Sequence, residues 1–418
     1  MRGLNPMGVA WAAAMAAAAP GVRLLLRVRA ARGKEVLERL PERRGVDATP
    51  RPAGRLVWLH AASVGETMSI LPVLPELAEG AQTILVTTGT VTSATLLGQR
   101  LGPELAGRVL HRFAPLDVPR WAARFLDHWR PDVAGFVESE LWPNLLAACQ
   151  ARGIPTMLIN ARLSDRSLAR WRRVPGLARQ MLGGFTQVQP RSATDADRLR
   201  ALGCCRVGRP GDLKLAAPPL PADEAEVRRL RRMVAGRPVW LAASTHAGEE
   251  DAILAVHREL AADYPGLLTI IAPRHPERGS SIPAAGYRSR GEDPPAEGVW
   301  VADTLGELGL LYRLAGIAFI GRSLLAPGGG QNPLEPARLG CAIAVGPHTG
   351  NFTDHVAMLR AAGGLAVVLD AGQLGRWVDG LFRDPARRQA MGAAAAAALE
   401  RHGDLPHRTA AALLELLA

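Results

Sequence analysis

Lysine is almost missing from this chain of 418 residues: among 50 cationic side chains only Lys34 and Lys214 are lysines, and the rest are arginines. That bias lowers the weight of any single arginine and raises that of the two lysines. Aromatic residues make up only 5%. No basic run alternates with them, so stacking of bases on aromatic platforms has little to work with, and a nucleic-acid partner is set aside. The cysteines, Cys149, Cys204, Cys205 and Cys341, have no metal-type spacing, which fits a reduced protein on the cytosolic side of a membrane. Long apolar runs are absent too, with one exception. Met7 to Val22 is almost entirely apolar, and Arg23, Arg27, Arg29 and Arg32 follow among leucines. At about 16 residues the run falls short of the roughly 20 that cross a hydrocarbon core. Only Arg2 precedes it and a dense basic segment follows, an unusual order for a signal peptide. The pattern predicts an interfacial helix, apolar face in lipid and arginines on anionic headgroups. A buried first helix of the following domain is the alternative.

What is present points to an anionic partner. The formal charge is +11, which suits acidic lipid or a phosphorylated substrate. The length allows two or three domains with sizeable cores. From Arg55 short apolar strands alternate with helical segments, the pattern of a doubly wound parallel sheet. Candidate strands are Leu56–His60, Thr83–Thr87, Val109–Phe113, Val133–Val137, Thr156–Asn160 and Gln187–Gln189. After the proline-rich stretch that follows Lys214, strands resume at Val239–Ala243, Leu268–Ala272, Val299–Ala302, Ile317–Ile320, Ala342–Val345 and Ala366–Leu369. Beyond about Ala371 the sequence reads as helical to its end.

Polar residues collect where the strands stop, the usual place for chemistry in such sheets. The first strand runs into His60-Ala-Ala-Ser-Val-Gly-Glu66, where Ser63 and Gly65 permit a close turn and Glu66 could act as a general base; a carboxylate that only complements a helix dipole would look the same. The fourth ends in Glu138-Ser-Glu-Leu-Trp-Pro-Asn144, two acids that need partners such as Arg162. The fifth ends in Asn160-Ala-Arg-Leu-Ser-Asp165, and Arg170, Arg172 and Arg173 follow around Trp171, suited to phosphates on an acceptor or to a solvated helix face. Asp195-Ala-Asp197 lies inside a predicted helix instead of after a strand and is not taken as a metal site.

In the second half, Ser244 opens a capped turn after one strand, and Arg274 with His275 stands at the end of the next, apt for a phosphate or carboxylate. Gly328-Gly-Gly-Gln-Asn-Pro-Leu-Glu-Pro follows the apolar run Ile317–Gly321. Glycines 329 and 330 allow tight turns. Asn332 and Pro333 read as N-cap and first position of a helix from Pro333 to Leu339, whose N-terminus would face an anion, with Glu335 placed for ribose hydroxyls.

Eight motifs in order, His60-Ala-Ala-Ser-Val-Gly-Glu66, Glu138-Ser-Glu-Leu-Trp-Pro-Asn144, Asn160-Ala-Arg-Leu-Ser-Asp165, Gly211-Asp-Leu-Lys214, Ala243-Ser-Thr-His-Ala-Gly-Glu-Glu250, Ala272-Pro-Arg-His-Pro-Glu-Arg278, Gly329-Gly-Gln-Asn-Pro-Leu-Glu-Pro336 and Gly346-Pro-His-Thr-Gly-Asn-Phe352, give the chain its likeness. Their succession resembles that of 3-deoxy-D-manno-octulosonic acid (Kdo) transferases over nearly the whole length. The resemblance implies an α/β protein of GT-B architecture, two Rossmann-like domains facing a cleft, preceded by a membrane-associated helix. The divisions would be 1–33 for that segment, 34–214 for an acceptor domain, 215–225 for a linker, 226–400 for a CMP-sugar donor domain and 401–418 for a closing helix. It implies an inverting, metal-independent enzyme without cofactor that moves Kdo from CMP-Kdo to a lipid A precursor. That enzyme would work on an anionic membrane surface, at the cytoplasmic face of an inner membrane. Glu66 would be the general base and Glu140 a second catalytic carboxylate. Lys214, Ser244, Arg274, His275, Gly329, Gly330, Asn332 and Glu335 would serve the donor, and Ser63, Gly65, Arg162 and Arg172 the acceptor. Gln331 stands where many relatives carry histidine. A UDP-sugar transferase and a nucleotide-sugar-binding protein without turnover are the rival readings.

Overall fold

A computed structural model describes residues 6–80 and 82–417. Arg2 and the rest of residues 1–5, part of the predicted N-terminal segment, lie outside the described residues. The chain forms two compact units, Met1–Ala217 with Gly403–Ala418, and Pro218–His402.

In the first unit six strands, β1 (Leu56–Ala61), β2 (Thr83–Thr88), β3 (Val109–Phe113), β4 (Val133–Val137), β5 (Thr156–Ala161) and β6 (Gln187–Pro190), pair in the order β3-β2-β1-β4-β5-β6. Every pairing is parallel. β1 and β4 are buried along their whole length, as expected of strands covered on both faces. One face packs Trp58, Phe136 and Leu158 with Phe125 and Trp129; the other packs Leu59, Val86 and Ile159 with Leu74 and Leu77.

The second unit repeats the plan with β7 (Val239–Thr245), β8 (Leu268–Pro273), β9 (Gly286–Tyr287), β10 (Gly298–Val301), β11 (Ile317–Ile320), β12 (Ala342–Val345) and β13 (Leu365–Val367). Their order is β13-β12-β11-β7-β8-β10-β9, again all parallel. The edge strand β9 has only two residues, too short for an alternating pattern to announce it.

In each sheet the chain order reverses beside the first strand, between β1 and β4 and between β7 and β11. Loops leaving those neighbouring strands part to opposite faces and leave a crevice at the carboxyl ends, where ligands of such sheets bind.

Two helices depart from the sequence reading. The N-terminal helix runs from Pro6 to Ala31, 26 residues, through Pro20 and the arginine segment. That is long and apolar enough to cross a membrane, so the expectation of a run too short to span is corrected: the arginine-bearing half extends the same helix. One side of it rests on the first unit, with Ala19 beside Val118 and Trp121 and with Trp11 Nε1 donating to Asp117 Oδ2 at 2.8 Å. Leu24 and Leu25 stay 64% and 55% exposed, an apolar surface the chain does not cover. The C-terminal helix, Leu405–Glu415, belongs to the first unit. Leu405 and Leu413 enter its core, and a side chain at Gly211 would come within 2.3 Å of Leu405.

Candidate active site

The first crevice is built on the loops after β1 and β4. Ser63 caps the helix Val64–Ile70, its Oγ accepting from Glu66 N at 3.3 Å and donating to Glu66 Oε1 at 2.8 Å, while Ala62 N donates to Glu66 Oε2 at 2.8 Å. This is a variant of the capping box in which the carboxylate reaches back to the N–H of the residue before the cap. Both carboxylate oxygens are held, and Glu66 is 8% exposed. Burial raises its pKa first, and the neighbouring Glu140 adds to that rise; the Ser63 and Ala62 donors offset part of it. Glu66 is the acid in the first turn of that helix and so complements its dipole.

Glu140 sits in the loop after β4. Its Oε2 accepts from Trp142 Nε1 and lies 3.3 Å from His60 Nε2. Burial alone would raise its pKa, but the bonds and charge of His60 and the indole of Trp142 outweigh it and hold the group below the ordinary range. The buried Glu66 and the half-buried Glu140 thus have their pKa values pushed in opposite directions. Glu138, in the left-handed region at φ 57°, forms an ion pair with Lys214 Nζ at 2.6 Å. Lys214, assigned to the donor in the sequence reading, lies in the first unit near Gly65, where an added Cβ would stand 3.9 Å from Nζ. Arg162 does not pair with the loop acids through its side chain. Its carbonyl accepts from Ser139 Oγ at 2.6 Å, its N–H faces Glu138 O at 3.4 Å, and its guanidinium is exposed. Arg172 is exposed on the helix Asp165–Arg172 with Arg166 and Arg170. Asp195 is spent on structure, accepting from Ser192 Oγ and from Leu163 N.

The second crevice has a different chemistry. Ser244 at the end of β7 takes φ 56°, and Gly321 after β11 lets the two strand ends touch; a Cβ there would meet Ser244 O at 2.6 Å. Glu249, 1% exposed, fills a nest of backbone donors: Oε2 accepts from Arg322 N and His246 N at 2.6 and 3.0 Å, Oε1 from Ser323 N and Leu324 N at 2.9 and 3.0 Å. The loop it holds then positions the glycine segment. Gly330 N donates to Arg322 O at 2.7 Å, Gly329 N to His348 O at 3.0 Å, and Asn351 N to Gly329 O at 2.9 Å. Gly329 has φ 118° and no room for a Cβ beside Asn351, so glycine is required by both conformation and space.

The helix beyond is shorter than the predicted Pro333–Leu339, only Leu334–Arg338, because Leu339 and Gly340 turn out of it. Pro333, predicted as the first helical residue, stands at the N-cap in place of Asn332; Asn332, one residue earlier, has Oδ1 accepting from Leu334 N at 3.1 Å and Nδ2 donating to Glu335 Oε1 at 3.2 Å. Arg274 and His275 are exposed after β8, and the His275 ring meets His246 edge-on at 5.8 Å. Among the described residues no group of three or more His, Cys, Asp or Glu side chains is arranged to hold a metal ion.

Comparison with known proteins gives these crevices a lineage. The family model for 3-deoxy-D-manno-octulosonic-acid transferase (kdotransferase) matches residues 38–217. A probable mitochondrial 3-deoxy-D-manno-octulosonic acid transferase of Arabidopsis thaliana is 37% identical over 83% of this chain and 81% of its own. The 3-deoxy-D-manno-octulosonic acid transferase of Bordetella pertussis is 36% identical over 88% and 89%. The chain belongs to the Kdo transferase family. It is accordingly a glycosyltransferase, and its paired parallel sheets are the GT-B architecture. In fold alone it is also similar to a UDP-GlcNAc 2-epimerase from Neisseria meningitidis, with TM-score 0.60 at 14% identity over 87% of this chain and 100% of the other. The segment matched by the Kdo transferase model carries the whole first crevice, from His60 to Lys214.

Sequence reasoning passed over His60, Thr87, Trp142 and Glu249 as site-forming residues. The motifs contain His60, Trp142 and Glu249, but their partners are fixed by strand register and by loops far apart in the chain, which no local pattern displays.

Proposed function

We propose that the chain transfers Kdo from CMP-Kdo to a lipid A precursor, resembling lipid IVA, in lipopolysaccharide core biosynthesis, by a single inverting displacement with Glu66 as general base. The observation that carries this reading is the buried, pKa-raised Glu66 at the crevice between β1 and β4, inside the segment that matches the family. A base with a raised pKa is the better proton acceptor for a sugar hydroxyl near neutral pH. Glu66 takes the proton of the attacking hydroxyl while CMP leaves from the opposite face, so the anomeric centre inverts, by the geometric logic of inverting hydrolases. Glu140, held below the usual carboxylate range, stays anionic as the second acid.

The donor carries one phosphate and one carboxylate. Arg274, His275 and Ser244, with Gly329, Gly330, Asn332 and Glu335, form the donor side in the second unit. Ser63, Gly65, Arg162 and Arg172 serve the acceptor, whose phosphates suit the exposed arginines of the first unit. The helix Pro6–Ala31 lies in the interface on the cytoplasmic face of the inner membrane, apolar side in lipid. Its anchoring to the first unit from Trp11 to Ala19 favours lying along the membrane over crossing it.

Transfer from freshly made CMP-Kdo to a tetra-acylated lipid A precursor, with and without EDTA, tests the proposal. Wild type should form product in both cases. Glu66→Gln should lose about 10²- to 10⁴-fold, the usual share of a general base. Consumption of UDP-sugars in place of CMP-Kdo would sink the substrate assignment, and a fully active Glu66→Gln would sink the base.

A further inference from the structure

We propose that His60 is a positioning residue that holds the Glu140 carboxylate through its Nε2–H, with its own ring orientation set by Thr87 and Trp58. This rests on the reading that Glu140 serves the transfer reaction. Trp58 and His60 are two apart on β1 and share a face, and Thr87 is the register partner of His60 on β2. Trp58 Nε1 donates to Thr87 Oγ1 at 2.9 Å, and Thr87 Oγ1 stands 3.0 Å from His60 Nδ1.

The hydroxyl has one hydrogen left to give. It can go to His60 Nδ1 at 3.0 Å or to Leu59 O at 3.4 Å. Donation to Nδ1 leaves the ring hydrogen on Nε2, which faces Glu140 Oε2 at 3.3 Å. The opposite neutral tautomer would point a nitrogen lone pair at the carboxylate. Of the two neutral tautomers, only the Nε2–H form satisfies both ends of the chain.

The ring is 2% exposed and lies between two aromatic neighbours, edge-on to Phe136 at 6.1 Å and tilted to Trp58 at 6.4 Å. It therefore has no room to swing. Trp142 supplies a second donor to the same oxygen. Glu140 is thus aimed by two N–H groups on Oε2, and among the described residues none of the recorded bonds falls on Oε1.

Nitrogen-15 NMR of the histidine-labelled, full-length protein reads the tautomer directly. A His60 ring carrying a hydrogen on Nε2 supports the proposal; a neutral Nδ1–H ring overturns it. Kinetics with CMP-Kdo supply a second readout. His60→Leu should lower kcat about 10- to 100-fold, the range found when a group that orients a functional ligand is removed, with KM for the donor unchanged. His60→Gln, which restores an N–H toward Glu140, should recover most of kcat. A fall in His60→Leu that His60→Gln does not relieve overturns positioning. If His60→Leu fails to fold, Thr87→Val replaces it, with a smaller loss of kcat expected and wild-type kcat contradicting the proposal. Glu140→Gln run in parallel separates the two ideas. Full activity there would sink the role of Glu140, whereas an impaired Glu140→Gln beside a wild-type His60→Leu would sink only the part given to His60.

Discussion

The two crevices arise from one topology and carry opposite chemistry. Between β1 and β4 three glutamates, Glu66, Glu138 and Glu140, converge, and burial of Glu66 first, then the charge of its neighbours, pushes it toward holding a proton. Between β7 and β11 the buried Glu249 is met by four backbone N–H groups and becomes a structural pin. Beyond it lies the glycine backbone that the pinned loop holds. A parallel sheet therefore supplies only a place for chemistry; the donors each loop brings decide whether a carboxylate there becomes a base or a brace.

The largest effect outside the proposed base should come from removing that brace. Glu249→Gln keeps one acceptor oxygen and turns an NH2 onto N–H groups that now lack a partner. With hydrogen bonds to charged groups contributing roughly 1.5–3 kcal/mol each, the loss of two should cost the second unit about 3 kcal/mol or more. Hydrogen exchange should quicken across residues 321–333 and 346–351 and leave residues 56–66 as in wild type. Protection unchanged in the first two segments would show that Glu249 is not what holds the glycine loop.

A subtler change sharpens the other side of the comparison. Glu66 works as base in its ionised form, so transfer falls as pH drops through its raised pKa, and the acid limb of kcat/KM should lie above the ordinary glutamate value of about 4.3. The same shift means that ionising Glu66 costs folding stability as pH rises through that value. In Glu140→Gln the neighbouring negative charge is gone. The Glu66 pKa should then fall, and the acid limb of the residual activity should move to lower pH. An unmoved limb would remove Glu140 as a cause of the shift and uncouple the two acids.

Much of this was legible from composition and spacing. Twelve short apolar runs mark strands, and the polar motifs fall at their carboxyl ends, the edge at which parallel sheets of this kind bind ligands. Ser63-Val-Gly-Glu66 even displays its capping box as spacing. Other features depend on contacts between distant segments. The His60–Thr87 pair exists only through the register of β1 on β2. The partner of Lys214 is Glu138, 76 positions earlier in the chain. The N-terminal helix continues through Pro20 and its arginines, a tolerance that helix propensity alone argues against. The return of Leu405–Glu415 to the first unit depends on apolar surface that the first unit offers, and on Gly211 leaving space for Leu405.

The smallest effect expected concerns the cationic strip on the first unit, for which the second crevice has no counterpart beyond single arginines. Arg170, Arg172 and Arg173 are exposed, and none of the recorded ion pairs among the described residues involves them. They are spaced to meet several anionic groups at once. Replacing all three with glutamine should weaken binding to vesicles containing anionic lipid by about 1 kcal/mol per residue at physiological salt. The deficit should shrink as salt rises, because exposed charges are screened. Zwitterionic vesicles should bind the variant and wild type alike, through the apolar face of Pro6–Ala31. Equal losses on both kinds of vesicle would mean that the arginines shape the helix surface instead of reading charge. No loss on either would assign the strip to the acceptor's phosphates alone, and the same variant would then show its defect as a raised KM for acceptor in the transfer assay.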